Sequence, residues 1–184
     1  MSALLPATHS RDFDFQQGQW NVRHRRLKQR LAGCTEWEEF DGTCHQFPVL
    51  GGNGNIEDNL LHLPDGDYRA VAIRSFDVAS GNWAIWWLDQ RTPHNLDVPV
   101  IGKFEGGIGT FFADDELDGR PIHLRFRWLA TDTPTPRWEQ AMSDDDGASW
   151  ETNWTMDFAR GSLKLFLLNG RRFFYGPRFF EGSN

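Results

Sequence analysis

Residues 13–20 read FDFQQGQW and stand where a polar, Pro-containing start gives way to alternating apolar and basic residues. Gly18 lies two positions before Trp20, and a glycine supplies backbone freedom because it has no side chain. We therefore expect the chain to turn tightly there, so that Trp20 folds back over the structure beneath it. This stretch predicts a plug at the end of a sheet structure.

Strand-length segments rich in aromatic and β-branched residues follow this plug, with turn signals between them. The turns combine Asp or Asn with Gly, residues that accept left-handed geometry: LPDGDY (63–68), DVASGN (77–82), ELDGRP (116–121) and SDDDGASW (143–150). Strands are predicted at 19–31, 36–47, 54–63, 67–76, 82–89, 99–104, 108–113, 121–130, 136–143 and 150–159. Such spacing is typical of an antiparallel meander.

Closure of this meander into a barrel is the expected architecture. An open antiparallel sheet would leave two edges unpaired, and closure removes both. No long apolar helix pattern is present that could cover an open sheet; residues 9–17, the one helical candidate, are short and polar and suit a lead-in or lid. The sequence therefore predicts an all-β fold, a single up-and-down antiparallel barrel of about ten strands over residues 1–160.

Charge and hydropathy exclude several classes of protein. A formal charge of -7 is unfavourable for nucleic acid as the principal partner, because phosphate binding needs a basic surface. We interpret the basic stretch RHRRLKQR (23–30) as a solvated strand face. Residues 1–8, MSALLPAT, lack the basic start and apolar run of a secretory signal, and no segment reaches membrane-spanning length. We therefore expect a cytoplasmic protein.

The two cysteines are expected to be reduced thiols in that compartment, with a disulfide across a hairpin as the alternative. Cys34 and Cys44 show no metal-binding spacing, because the pair formed by Cys44 and His45 has no companion cluster. We predict no metal site and no cofactor. The nine Trp and 15 Phe residues instead favour β-strands around a large apolar cavity.

One turn has the spacing S-x-D-x-G-x-x-W, which is known as an Asp-box. Its residues are Ser143, Asp145, Gly147 and Trp150. The pattern resembles the hairpin turn that repeats in sialidase propellers, where the Asp caps backbone N–H groups and the aromatic side chain anchors the turn. One copy does not predict a propeller, because a single blade cannot bury its own face. We assign these residues a structural role.

The composition changes at residue 161, where a basic and apolar extension begins. Residues 161–184 read GSLKLFLLNGRRFFYGPRFFEGSN, and the NG at 169–170 is a strong hairpin signal. Three interpretations stay open: an added hairpin, which we favour, a partner-binding tail, or a sequence artefact. Exposed aromatic residues promote association, so the extension is also compatible with a homodimer.

Gly18-x-Trp20 at the start of the first strand is similar to the G-x-W signature of the calycin superfamily, which includes lipocalins and fatty-acid-binding proteins. In lipocalins an Arg that ends the last strand packs over that Trp. Arg160 ends the last strand predicted here, NWTMDFAR. Because the first and last strands pair when a barrel closes, the resemblance implies a cation–π contact between Trp20 and Arg160.

A wider resemblance covers residues 12–160 and points to a group of uncharacterised bacterial calycin-like proteins. It is carried by FDFQQGQWNVRHRRL, LGGNGNIED, WAIWWLD, GKFEGGIGTF and RWEQAMSDDDGASWETNW, in this order. The resemblance implies a ligand-sized interior, and the number of strands favours the size of fatty-acid-binding proteins or nitrobindin over that of typical lipocalins. A haem role like that of nitrobindin would need an axial His near the end of the barrel, and the last strands contain none.

Alternation along the strands selects Arg74 as the charged residue of the interior. Arg74 shares a face with Ala70 and Ala72, whose small side chains leave room around a guanidinium. We expect it to point into the barrel. The structural alternative is an ion pair with a carboxylate such as Asp58 or Glu139, because buried charges are nearly always paired.

The other ligand-contact candidates combine indoles with amides. They are Trp87, Trp138, Gln140, Asn153 and Trp154. An amide beside an indole suits an oriented polar contact in an otherwise apolar pocket. Trp87 is selected from WAIWWLD (83–89), which has indoles on both faces, because Asp89 shares its face. Core packing and a satisfied polar core are the alternatives for these residues.

Catalytic candidates are few. The six His residues form no triad; His24, on the face of Trp20, and Glu139 are the acid–base candidates, with a satisfied barrel histidine as the alternative for His24. No nucleophile elbow, P-loop or dinucleotide motif occurs. We interpret GGNGN (51–55) as a strand bend and GKFEGGIG (102–109) as a loose hairpin at the barrel mouth.

Three functions stay open at this point. The first is binding of a small apolar or amphipathic molecule, whose polar or anionic group is oriented by Arg74 and Gln140. The second is an isomerase, cyclase or hydrolase on the same barrel, with His24 or Glu139 as the base and Arg74 as electrostatic stabiliser. The third is a self-association module, with a filled barrel and contacts made by the aromatic extension.

Overall fold

A computed structural model describes residues 10–160, so the expectations for the extension 161–184 lie outside the described residues. The strands are β1 (Gly18–Leu27), β2 (Trp37–Val49), β3 (Gly54–Leu63), β4 (Gly66–Asp77), β5 (Asn82–Asp89), β6 (Val100–Glu105), β7 (Ile108–Leu117), β8 (Arg120–Leu129), β9 (Arg137–Ser143) and β10 (Glu151–Arg160). Short 3₁₀ turns cover Asp14–Gln16 and Leu50–Gly52. All ten predicted strands are present, although β1 ends at Leu27 rather than at residue 31.

The ten strands form a closed barrel in which each pairs antiparallel with its neighbour in sequence. β1 and β10 close the ring, with Trp20 opposite Arg160 and Val22 opposite Phe158. The prediction of an all-β, up-and-down antiparallel barrel with a short N-terminal lead-in is therefore confirmed.

Residues 10–17 close one end of the barrel, which we call the plugged end. Phe13 is buried there and meets Trp83 and Phe104 edge to face, with ring centroids 4.9 and 5.0 Å away. The glycine turn at 106–107 follows β6 directly and therefore lies at this plugged end. Its expected position at the mouth was wrong, because β6 runs towards the plug rather than away from it.

The opposite end, which we call the mouth, is surrounded by the loops at 28–36, 64–65, 90–99, 118–119 and 144–150. Antiparallel pairing places every second connection at the same end of the barrel. The mouth therefore collects the charged loops 28–36 and 90–99, whereas the plugged end collects the lead-in and the start of β1.

The turn at Gly18 has the conformation that the sequence predicts. Gly18 has φ +94°, in a region of backbone conformation that residues other than glycine rarely adopt. Trp20 is buried and donates from Nε1 to the carbonyl oxygen of Gln16 at 2.7 Å. The guanidinium of Arg160 lies over the Trp20 ring, which is the contact that the calycin resemblance implies.

The basic stretch 23–30 lies mainly on the outer face of β1, beside acidic residues of β2. Arg23 pairs with Glu39 at 2.7 Å and with Asp41 at 2.9 Å. Lys28 pairs with Glu36 at 2.9 Å. Exposed pairs of this kind contribute little to stability, but they neutralise Arg23 and Lys28, as expected for a solvated face. The expectation does not hold for the whole stretch, because His24 is buried and Arg30 is half-buried.

The turn at 143–150 has the hydrogen bonds of an Asp-box. Asp145 accepts from the hydroxyl of Ser149 at 2.6 Å and from its backbone N–H at 2.8 Å. The N–H of Gly147 donates to Ser143 Oγ at 2.9 Å, and Trp150 Nε1 donates to the carbonyl oxygen of Gly147 at 3.1 Å. The hydrogen bonds from Ser149, followed by that from Ser143, lower the pKa of Asp145 to about 2.

Candidate functional site

The barrel encloses a cavity of about 370 Å³ that opens at the mouth. Its walls are mainly apolar, and besides Trp86 at its edge the aromatic lining residues occupy inward strand positions: Trp87, Phe126, Trp128, Trp138, Trp154 and Phe158. The strands alternate inward and outward residues, so these side chains come from the inner faces of β5, β8, β9 and β10. The interior is therefore partly hollow, with space for a small molecule.

Three indoles that the sequence selects come together on one side of this cavity. Trp154 meets Trp138 nearly perpendicularly, with ring centroids 5.7 Å apart. It meets Trp87 in a similar way at 6.3 Å. Edge-to-face pairs of this kind are favourable and hold each ring in place. The three rings therefore form one continuous apolar surface.

Arg74 lies at the inner end of the cavity and is ion-paired. Its guanidinium bonds Glu57 Oε2 and donates to Asn55 Oδ1 at 2.9 Å. The Arg74 and Glu57 side chains are each only 4% exposed. The guanidinium also lies 4.8 Å from the ring centroid of Phe13 and 5.7 Å from that of Trp128. Arg74 therefore connects the inner end of the cavity, which we call the cavity floor, to the lead-in that closes the plugged end.

The partner of Arg74 is neither of the two carboxylates that the sequence suggests. Asp58 points outward and pairs with Arg69 at 3.0 Å. Glu139 also lies on the outer face, where it accepts from Arg137 Nε at 2.8 Å. Asn55 stands opposite Arg74 in the β3–β4 register, so the next inward residue of β3 is Glu57. Glu57 thus lies diagonally within reach of the guanidinium.

Gln140 and Asn153 are hydrogen-bonded to each other. Gln140 Nε2 donates to Asn153 Oδ1 at 2.8 Å. A bulge in β10 between Thr152 and Trp154 lets Asn153 and Trp154 both be buried, although they are adjacent in sequence. Gln140 lines the cavity, whereas Asn153 lies behind it.

His24, the histidine candidate for acid–base chemistry, is packed inside the wall. Its ring stacks on Phe40, with centroids 4.6 Å apart, and its Nδ1 accepts from Trp154 Nε1 at 3.3 Å. A Cβ at Gly42 would lie 2.7 Å from His24 Nε2, so this glycine makes space for the ring. Burial, followed by the charge of Arg26, lowers the pKa of His24 to about 3.

Neither acid–base candidate lines the cavity. His24 is neutral at ordinary pH and positions Trp154, and Glu139 faces away from the interior. The catalytic role of both residues stays a prediction from the sequence, and neither side chain lies at the cavity surface. The enzyme hypothesis therefore gains nothing from their positions.

Charged residues at the mouth were missed by the sequence analysis. Arg91 pairs with Asp89 at 2.6 Å and lies over the ring of Tyr68, 3.8 Å from its centroid. Burial, followed by Asp115 and Asp89, raises the pKa of Asp97. The inward position of Asp89 was visible in the alternation of β5. Arg91 and Asp97 lie in the loop after β5, where alternation does not assign a face.

The part of the chain that the structure describes contains no group of three or more His, Cys, Asp or Glu side chains placed to hold a metal ion. None of its helical segments has both the length and the apolar character needed to cross a membrane. Cys34 and Cys44 are free thiols. No family model matches the chain, and no curated protein matches it.

Proposed function

We propose that the barrel binds a small, largely apolar molecule that carries a polar group. The observation behind this proposal is the cavity of about 370 Å³, which is open at the mouth and lined by indole rings. Its volume lies within the range of roughly 300–1,000 Å³ that is usual for small-molecule sites. Rings held in place by their neighbours lose little conformational entropy on binding, which favours affinity.

The inner end of the cavity suits an acceptor oxygen of the ligand. Arg74 Nε and Trp128 Nε1 are buried N–H groups without an acceptor among residues 10–160, and both residues line the cavity. Buried polar groups are usually hydrogen-bonded, and leaving one unpaired is costly. Because Glu57 already neutralises Arg74, a neutral carbonyl, ether or hydroxyl oxygen fits this end better than an anion. Gln140 lines the same cavity and is a second orienting group.

The calycin resemblance supports the same function. Gly18, Trp20 and Arg160 are arranged as that resemblance implies, and calycins as a group include ligand-binding barrels. A fold alone does not identify a ligand, so the proposal depends on the cavity and not on the resemblance.

Filling the cavity tests the proposal. Ala72 lines the cavity, whereas Ala84 lies on the outer face of the adjacent β5 and is not among the cavity residues. We expect Ala72→Phe to abolish binding of the apolar fluorophore N-phenyl-1-naphthylamine, and Ala84→Phe to leave it unchanged. Native mass spectrometry of the purified full chain should also show an excess mass that is lost on denaturation and in Ala72→Phe. Equal fluorophore binding by both variants would refute the cavity as the site.

Self-association is a second candidate, favoured by the outer face of β6 and β7. Ile101 and Phe112 are neighbours in the strand register and are 44% and 49% exposed. Adjacent exposed apolar side chains are common where proteins associate. A dimer in sedimentation velocity that becomes monomeric in Phe112→Lys would support this role. A monomer at all concentrations of the wild-type chain would exclude it.

A further inference from the structure

The mouth carries an excess of positive charge on one side. A cleft of about 800 Å³ adjoins the cavity there, and Arg30 and Arg91 line both spaces. The charged residues of this cleft are Arg26, Lys28, Arg30, Arg91 and Arg120, with Glu38 and Asp118. A concave surface with one dominant sign of charge concentrates ions of the opposite sign. The side of the mouth formed by the loop at 28–36 therefore attracts anions.

Most of these cations already have a carboxylate partner. Arg26 pairs with Glu38 at 3.0 Å, and Arg91 pairs with Asp89 at 2.6 Å. Lys28 pairs with Glu36. Within residues 10–160, no carboxylate forms an ion pair with Arg30 or Arg120. These two arginines are the cations of the cleft whose charge is left for a ligand.

Arg30 is the better placed of the two for a ligand that also fills the barrel. It is half-buried and lines the cavity as well as the cleft, whereas Arg120 lines the cleft alone. Its Nε has no acceptor among the described residues. Burial, followed by the nearby charge of Arg26, lowers the pKa of Arg30, while Tyr68 and Asp118 act in the opposite direction. An arginine remains charged in a protein, so an anion beside Arg30 would relieve this cost.

Three acidic residues also line the cavity near the mouth, and their charge disfavours an anion beside them. Asp89, Asp97 and Asp115 line the cavity there. Asp89 is paired with Arg91, and the raised pKa of Asp97 reflects its burial and its acidic neighbours. Like charges repel, and more strongly in a partly buried site than in water. An anionic group at the mouth is therefore directed away from these aspartates and towards Arg30.

We propose that the ligand is a compact apolar anion whose carboxylate, sulfonate or phosphate group is held at the mouth by Arg30, with its apolar body among the indoles. This inference rests on the proposed ligand-binding function and adds the charge and orientation of the ligand. The reverse orientation would bring the anion to Arg74, where the carboxylate of Glu57 already occupies the guanidinium. The mouth arginine, and not the floor arginine, therefore selects the anion.

Two fluorescent probes that differ by one sulfonate group test this inference. 1-Anilinonaphthalene-8-sulfonate carries a sulfonate, and N-phenyl-1-naphthylamine has the same ring system without it. Both are titrated into the full chain, into Arg30→Gln and into Arg23→Gln, a control on the outer face of β1. We expect Arg30→Gln to weaken sulfonate binding by about tenfold or more, as for loss of a charged hydrogen bond. Binding of the neutral probe stays unchanged, and Arg23→Gln affects neither probe.

Wild-type protein provides a second measurement that needs no variant. Raising the salt concentration about tenfold screens the charge at the mouth, so we expect it to weaken the sulfonate and to leave the neutral probe unaffected. Equal sulfonate affinity in wild type and Arg30→Gln, or no salt effect, would overturn the anion site while leaving the ligand-binding function standing. If folded wild-type protein binds neither probe, the proposed function fails, and this inference fails with it.

Discussion

Arg160 lies against the face of Trp20, with its guanidinium carbon 3.8 Å from the centroid of the indole ring. The same guanidinium donates to the carbonyl oxygens of Gln17 and Phe15. One side chain of the last strand therefore contacts both the first strand and the lead-in. Closure of the barrel and formation of the plug depend on each other through this residue.

We expect Arg160→Ala to lower the free energy of unfolding by about 1–2 kcal/mol, because it removes an exposed cation–π contact and charged hydrogen bonds to backbone oxygens that water replaces in part. Urea unfolding followed by Trp fluorescence measures the change. Arg11→Ala is the control, since the one ion pair of Arg11 within residues 10–160 is an exposed pair with Asp14, and we expect a change below about 0.5 kcal/mol. Equal effects of the two substitutions would contradict the role assigned to Arg160.

Gly18→Ala should destabilise the protein more than Gly33→Ala. Both glycines have positive φ, but a Cβ at Gly18 would lie 3.2 Å from the Arg160 guanidinium, whereas a Cβ at Gly33 meets nothing within 4 Å. We expect a loss of about 1 kcal/mol at Gly33 and about 2–3 kcal/mol at Gly18. Unfolding midpoints compare the two variants. A larger loss at Gly33 would show that the turn before Trp20 is not constrained by Arg160.

Glu57→Gln should be strongly destabilising, because it leaves the charge of Arg74 buried without its counter-ion. Removing one partner of a buried pair typically costs about 3–5 kcal/mol. Asp58→Asn is a matched control at the adjacent position, where the carboxylate points outward and its pair with Arg69 is exposed. The expected loss at this exposed pair is at most about 1 kcal/mol. Similar losses at both positions would contradict the buried ion pair as the determinant of stability at the cavity floor.

The buried neutral His24 makes stability depend on pH. Its pKa is lowered from 6.5 to about 3, so below pH 6.5 the unfolded chain binds a proton that the folded protein does not. Stability therefore falls as the pH falls through this window, and it is restored as the pH rises above 6.5. Between pH 7 and pH 5 we expect a loss of about 2 kcal/mol from this residue.

The comparison of wild type with His24→Leu isolates that contribution. The raised pKa of His123, which is exposed and bonded to Asp114, acts in the opposite direction but is common to both proteins. The pH dependence of unfolding should therefore be shallower in His24→Leu. An NMR titration gives a separate check, since the ring signals of His24 should not shift between pH 7 and pH 5. Titration near pH 6.5 would refute the packing described here.

Most of the fold could be predicted from local sequence patterns, because the turns and strands have the residue types that are typical of them. Asp or Asn with Gly marks the hairpins, and alternation assigns the faces. The inward position of Arg74 follows from the small residues beside it, Ala70 and Ala72. The contact of Arg160 with Trp20 follows from closure, because the first and last strands must pair.

The missed features depend on relations between strands or on loops. Whether Arg74 meets Glu57 or Asp58 depends on the register of β3 against β4, and a single step exchanges the faces of the two carboxylates. The bulge at Asn153 interrupts the β9–β10 register, and alternation along a single strand does not show such an extra residue. Arg30 lies in a loop, where no periodicity indicates its direction. Arg74 at the inner end of the cavity was thus predictable by residue type but not by partner, and the charged residues in the loops of the mouth were not predictable.

The pairing of the first strand with the last has a consequence for biosynthesis. A chain emerging from the ribosome presents the lead-in and β1 early, whereas β10 and Arg160 emerge only after all the other strands. Contacts between such distant parts of a chain form slowly, and incomplete sheets expose edges that associate with other chains. A nascent chain that has emerged only as far as β9 therefore has two open sheet edges, and its lead-in lacks the contact with Arg160. This is the stage of synthesis at which chaperone binding would protect it most.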